Sequence, residues 1–209
     1  MNATGAGVSA AAGAPVTHLL YLHGFRSSPQ STKARKFAAW VRAHRPDLAW
    51  SCPQLDASPA AAMRAIEAAI APWPKAAMAV IGSSLGGFYA TVVAERHGCR
   101  AVVLNPAVDP ARDLAKAIGT TTAWHSDAPF VFRPGYVDEL RAMTPAALTS
   151  PGRYFAVIAK GDEVLSWGEM SGRYAGSPMC LLDGSDHALG DFDAQMPAVL
   201  AFLGLASAR

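Results

Sequence analysis

The apolar residues of this chain fall into short unbroken runs, and most runs are followed by a stretch with helical spacing. Thr17-His18-Leu19-Leu20-Tyr21-Leu22, Ala77-Met78-Ala79-Val80-Ile81 and Ala101-Val102-Val103-Leu104 read as strands, as do 154–159, 179–182 and the shorter run 48–52. Phe37, Trp40 and Val41 predict a helix over 31–43. Met63, Ile66 and Ile70 predict a second, behind Ser58 as N-cap and Pro59 at the first helical position. Phe88, Val92 and Val93 predict a third, stopped by Gly98, and a last helix is expected over 194–203. Strands that are apolar throughout, alternating with helices, belong to a mostly parallel sheet covered on both faces. In such sheets the active residues gather in loops beyond the carboxyl ends of the strands. Gly24, Gly82, Gly161 and the loop after Leu182 then share one edge.

Residues 106–150 interrupt this rhythm with Trp124, His125, Phe130, Phe132 and Tyr136 among prolines and glycines. An ordered excursion of that length is usually functional, and a cap over the active edge is expected, the alternative being a peripheral helix pair. A length of 209 residues suits one α/β domain, here 16–209, after an Ala-, Gly- and Ser-rich leader over 1–15. That leader lacks the basic start and apolar stretch of a signal peptide. With 51% hydrophobic and 16% charged residues, the chain can bury a sizeable core. No apolar run approaches the ~20 residues of a membrane span. The net charge of +2 leaves no nucleic-acid footprint, and Arg26, Lys33, Arg35 and Lys36 read as the solvated face of a helix. Cys52, Cys99 and Cys180 have no metal-ligand or disulfide spacing and read as buried, reduced side chains. A soluble, cytoplasmic protein is expected.

Gly82-Ser83-Ser84-Leu85-Gly86 follows a strand and opens a helix. A G-x-S-x-G pentapeptide alone occurs by chance roughly one time in ten in a chain of this length, but this context is the one a nucleophile elbow requires. Such a turn aims its serine into a cleft and needs small residues two places to either side, which Gly82 and Gly86 supply. Ser83 lies one place off the motif and reads as a tolerated neighbour. A serine needs a base, and His187, after the last strand, fits the order nucleophile, acid, histidine. His18, His44, His97 and His125 read as structural or exposed, and His23 as shaping its loop. The acid that orients the histidine is expected to be Asp162, directly after the strand 154–159, with Asp183 its most credible rival and Glu163 and Asp186 less so. Two backbone N–H groups are needed for an oxyanion, and Phe25 and Leu85 are the candidates.

With those residues placed, the chain resembles the YqiA-like esterases of the α/β-hydrolase superfamily. The resemblance rests on Tyr21-Leu22-His23-Gly24-Phe25, Ser27-Ser28-Pro29, Lys33-Ala34, Gly82 through Ala90, Asn105-Pro106-Ala107, Gly161-Asp162-Glu163-Val164-Leu165 and Asp186-His187. It implies hydrolysis of acyl esters or thioesters, carried by Ser84, Asp162 and His187 through an acyl-enzyme. No metal or organic cofactor is implied; the expected partner is a small-molecule ester, with neither nucleic acid nor membrane. Other chemistries of the fold (thioesterase, lactonase, acyltransferase, carbon–carbon hydrolase) and a non-catalytic binding protein are the alternatives. Arg26 departs from the family pattern, which has a small polar residue there; it is expected to reach solvent rather than to select an anionic substrate.

Overall fold

The computed structural model describes residues 14–124 and 129–206, so most of the expected leader and His125 lie outside the described residues. Strands β1 (His18–Leu22), β2 (Ala49–Ser51), β3 (Met78–Ser83) and β4 (Arg100–Leu104) begin the main sheet, after which β5 (Gly119–Thr122) and β6 (Pro129–Phe132) pair as a separate antiparallel ribbon. The main sheet is completed by β7 (Tyr154–Ala159) and β8 (Met179–Leu182). Its order is β2-β1-β3-β4-β7-β8, with every neighbouring pair parallel. The chain order reverses at β1 and β3, where Leu22 lies opposite Gly82. This is the switch point at which parallel α/β sheets open a crevice.

Successive side chains of a strand point to opposite faces, and both faces are filled. Leu19 and Tyr21 pack with α1 (Thr32–His44) and α7 (Phe192–Leu203). Leu20 and Leu22 pack with α2 (Pro59–Ile70) and α3 (Leu85–His97). The strands therefore show no polar face. Ser58 caps α2 by accepting from the Ala61 N–H, and Gly98 ends α3 in the left-handed conformation at φ 71°.

The excursion 106–150 contains α4 (Pro110–Leu114), the ribbon and α5 (Pro134–Met143). It is fixed to the body by Glu139, whose Oε2 accepts from Ser58 Oγ at 2.9 Å and from the Ala60 N–H at 2.8 Å. Helix α6 (Trp167–Arg173) was not expected, because Gly168 and Gly172 dilute its apolar pattern. It is held by the Ser166 N-cap and by the fully buried Met170. Cys99 is buried as expected, whereas Cys52 and Cys180 are only half-buried; all three are free thiols. No helix among the described residues is long and apolar enough to cross a membrane.

Candidate active site

Ser84 occupies the turn between β3 and α3 with φ 57° and ψ −122°, a backbone conformation that side chains other than glycine rarely adopt. Backbone hydrogen bonds hold it there. Its N–H donates to Leu104 O at 3.0 Å, and its carbonyl accepts from Gly87 N at 2.8 Å and Ala107 N at 3.0 Å. The flanking glycines are required by space. A Cβ on Gly82 would stand 2.1 Å from Gly86 O, and one on Gly86 would stand 2.0 Å from Leu22 O. Strand and helix thus meet backbone to backbone, and the serine hydroxyl is left facing the crevice.

His187, Asp162 and Ser84 come together from three loops at the carboxyl edge. His187 Nε2 lies 3.1 Å from Ser84 Oγ, and its Nδ1 lies 2.7 Å from Asp162 Oδ2. An ionised carboxylate can only accept, so Nδ1 carries the proton and Nε2 of the neutral ring is free to accept from the hydroxyl. The Asp162 side chain is fully buried. Burial pushes its pKa up, but the His187 bond and the N–H groups of Leu165 and Val164 outweigh it and hold the carboxyl below its ordinary range. Gly161 lets the two loops touch, since a Cβ there would stand 2.5 Å from Ser185 O.

The rival acids are engaged elsewhere. Asp183 pairs with Lys160 at 2.8 Å on the surface. Glu163 accepts the His187 backbone N–H at 3.0 Å, and Asp186 Oδ1 accepts from Gly190 N. His18, His44 and His97 bond to Thr17, the Trp40 carbonyl and Glu67 respectively, away from this edge. Buried His23 accepts the Leu55 N–H at Nε2 and reaches Gly24 O through Nδ1, so it ties down the loop after β1. Ser83 is buried at the end of β3.

Asn105 is the site residue that sequence reasoning did not single out. Fully buried at φ 41°, it accepts the Ala159 N–H at 2.8 Å and donates to the carbonyls of Asp186 and His187 at 3.0 and 3.2 Å. One amide therefore joins the ends of β4 and β7 to the histidine loop. Its only signal in the sequence is an Asn-Pro pair after a strand, since asparagine tolerates positive φ.

Neither the Phe25 N–H nor the Leu85 N–H donates to an acceptor among the described residues, and Leu85 opens α3. The Phe25 ring meets Phe130 and Phe132 of the ribbon edge-on, with centroids 5.0 and 5.3 Å apart. Arg26 does not reach free solvent as expected. Its Nε donates to Thr122 O at 2.7 Å, its guanidinium lies 4.5 Å from the Trp124 ring centroid, and its carbonyl accepts the Trp124 N–H. The basic residues near α1 also depart from a uniform solvated face, because Lys33 turns inward and donates to Ala188 O at 2.5 Å. Together these segments enclose a cleft of about 620 Å³ containing Ser84 and His187, with Ala107, Leu114 and Trp124 in its wall. Cys52 and Cys99 take no part; burial pushes both thiols up to about 12. Among the described residues no cluster of three or more His, Cys, Asp or Glu side chains could hold a metal ion.

A parallel sheet in this order, with a strained serine at the central strand and a histidine loop after the last one, defines the α/β-hydrolase fold. Residues 18–204 match the family described as Uncharacterised protein family (UPF0227), and the chain belongs to that family, the YqiA-like one that its motifs resemble. Solved structures share the fold at low identity. An esterase domain from a Rhodothermus marinus protein superposes with a TM-score of 0.63 at 19% identity, covering 92% of this chain and 86% of that one. Est1E from Butyrivibrio proteoclasticus gives 0.64 at 13% identity, over 90% and 87% of the two chains. A monoacylglycerol lipase from Paleococcus ferrophilus gives 0.63 at 12% identity, over 92% and 96%.

Proposed function

We propose that this protein is a serine esterase that hydrolyses carboxylic esters or thioesters of small molecules through an acyl-enzyme. The observation that carries this reading is the unbroken relay from the buried Asp162 through His187 to Ser84, with contacts of 2.7 and 3.1 Å. In this mechanism Ser84 Oγ attacks the carbonyl carbon as His187 Nε2 takes its proton. Asp162 holds the imidazole in the required tautomer and stabilises the imidazolium that forms. Negative charge gathers on the former carbonyl oxygen, where the N–H groups of Phe25 and Leu85 receive it. Each such donor is worth about 3 kcal/mol in the transition state. His187 returns its proton to the departing alcohol or thiol, then activates the water that releases the acid. No metal or organic cofactor takes part. Residues 106–150 act as the cap that walls the cleft, and the three free thiols fit a reducing compartment such as the cytoplasm.

The family resemblance and the esterases and lipase that share the fold support the same reading. A fluorophosphonate probe tests it directly. The folded wild type should label once, at Ser84, and Ser84→Ala should neither label nor hydrolyse p-nitrophenyl esters. Wild-type protein that stays unlabelled while folded, or a variant that still turns over, would overturn it. Oxygen esters and thioesters of one acyl chain then separate the two substrate classes.

A further inference from the structure

Lys33 sits in the first turn of α1, and its side chain enters the wall of the cleft that contains Ser84. Among the described residues no carboxylate lies within ion-pairing distance of its ammonium, whereas Lys36 and Lys160 each have one. An ammonium has three N–H donors. One serves Ala188 O, the carbonyl next to His187, and two remain for the cleft. Burial pushes the Lys33 pKa down to about 8, with Asp186 acting the other way, so the group stays charged at neutral pH. A half-buried ammonium with donors to spare favours an anion beside it.

The other cations of the cleft differ. Arg26 is committed to Thr122 and Trp124, and Lys116 is exposed.

We infer that Lys33 forms a carboxylate subsite beside Ser84, so the preferred substrate carries a carboxylate in addition to its scissile ester. This inference rests on the esterase reading above. The two spare N–H donors of one ammonium match a single negative charge and the two oxygens of a carboxylate. A phosphate dianion would bring a second negative charge into a cleft whose wall also holds Asp113, while Lys33 supplies a single ammonium.

Two pairs of esters test the subsite and report which side of the scissile bond it serves. Mono-p-nitrophenyl succinate and its methyl ester place or remove the carboxylate on the acyl side. Acetoxybenzoate (the 4-isomer) and its methyl ester do so on the alcohol side. The wild type should favour the carboxylate member of one pair by about tenfold or more in kcat/KM, mainly through KM. Lys33→Met should bring that ratio to one or below, and Lys33→Arg should retain most of it. Equal handling of both members of both pairs by the wild type would overturn the subsite. So would a Lys33→Met variant that loses both members alike, because a residue that merely braces the His187 loop leaves the ratio unchanged. Failure of every ester together with an unlabelled Ser84 would instead overturn the esterase reading, and the subsite with it.

Discussion

Ser84 combines a hydroxyl 3.1 Å from His187 Nε2 with a backbone that its side chain opposes. Residues held in sparsely populated φ/ψ regions cost of order 1–3 kcal/mol and persist where surrounding bonds over-determine them. Here the over-determination comes from Leu104 O, Gly87 N and Ala107 N. Two variants isolate that strain: Ser84→Gly should be more stable than Ser84→Ala by about 1 kcal/mol. Urea unfolding of both measures it, and equal midpoints would mean the turn carries no strain. Asn105 has the opposite character, as a buried amide with every contact satisfied. Asn105→Ala leaves the Ala159 N–H without its acceptor and should cost roughly 2–3 kcal/mol in stability. It should also lower kcat, because the carbonyls of the histidine loop lose their donor. Normal kcat in a destabilised variant would confine Asn105 to a structural role. The sequence made Ser84 legible because its constraint is local, written into five consecutive residues. Asn105 was not legible, since all of its partners come from residues more than 50 places away.

Between elements, the most informative junction joins the loop after β1 to the β5–β6 ribbon. Arg26, at φ 60°, stands where asparagine or glycine would be easier, and Thr122 and Trp124 engage its Nε, its guanidinium face and its carbonyl. That clasp and the Phe25 ring contacts fix the loop whose N–H is assigned to the oxyanion. Arg26→Ala should therefore reduce kcat several-fold for all esters alike. The change in stability should be below about 1 kcal/mol, as for an exposed cation–π contact. Steady-state kinetics beside a thermal melt would check this, and a change confined to carboxylate-bearing esters would place Arg26 with Lys33 instead. The ribbon itself was hidden in the sequence, because Gly119-Thr120-Thr121-Thr122 is polar and largely exposed. It is stabilised by pairing and by aromatic contacts to another loop rather than by a pattern of its own.

Across the whole molecule, the buried carboxylate couples folding to pH. The pKa of Asp162 in the fold lies below the ordinary carboxylate value of about 3.9. A depressed value contributes stability that is present above the unfolded pKa and lost as pH falls through the folded one. Wild-type stability should then decline below about pH 5 more steeply than that of Asp162→Asn, whose amide does not titrate there. Unfolding free energies from urea titrations between neutral pH and pH 3 test this; parallel curves would show that other carboxylates dominate.

The sequence by itself determined the α/β class, the strands of the main sheet with its helices α1, α2, α3 and α7, and the turn at Ser84. These follow from periodicity, apolar runs and glycine spacing, all of which act over a few residues. Tertiary structure decided which of four neighbouring acids reaches the His187 ring, because a one-residue step along a loop reverses where a carboxylate points. It also turned Lys33 inward and bound Arg26 to the ribbon. The direction of a long flexible side chain depends on acceptors brought to it by distant chain segments, and those exist only once the sheet edge has assembled.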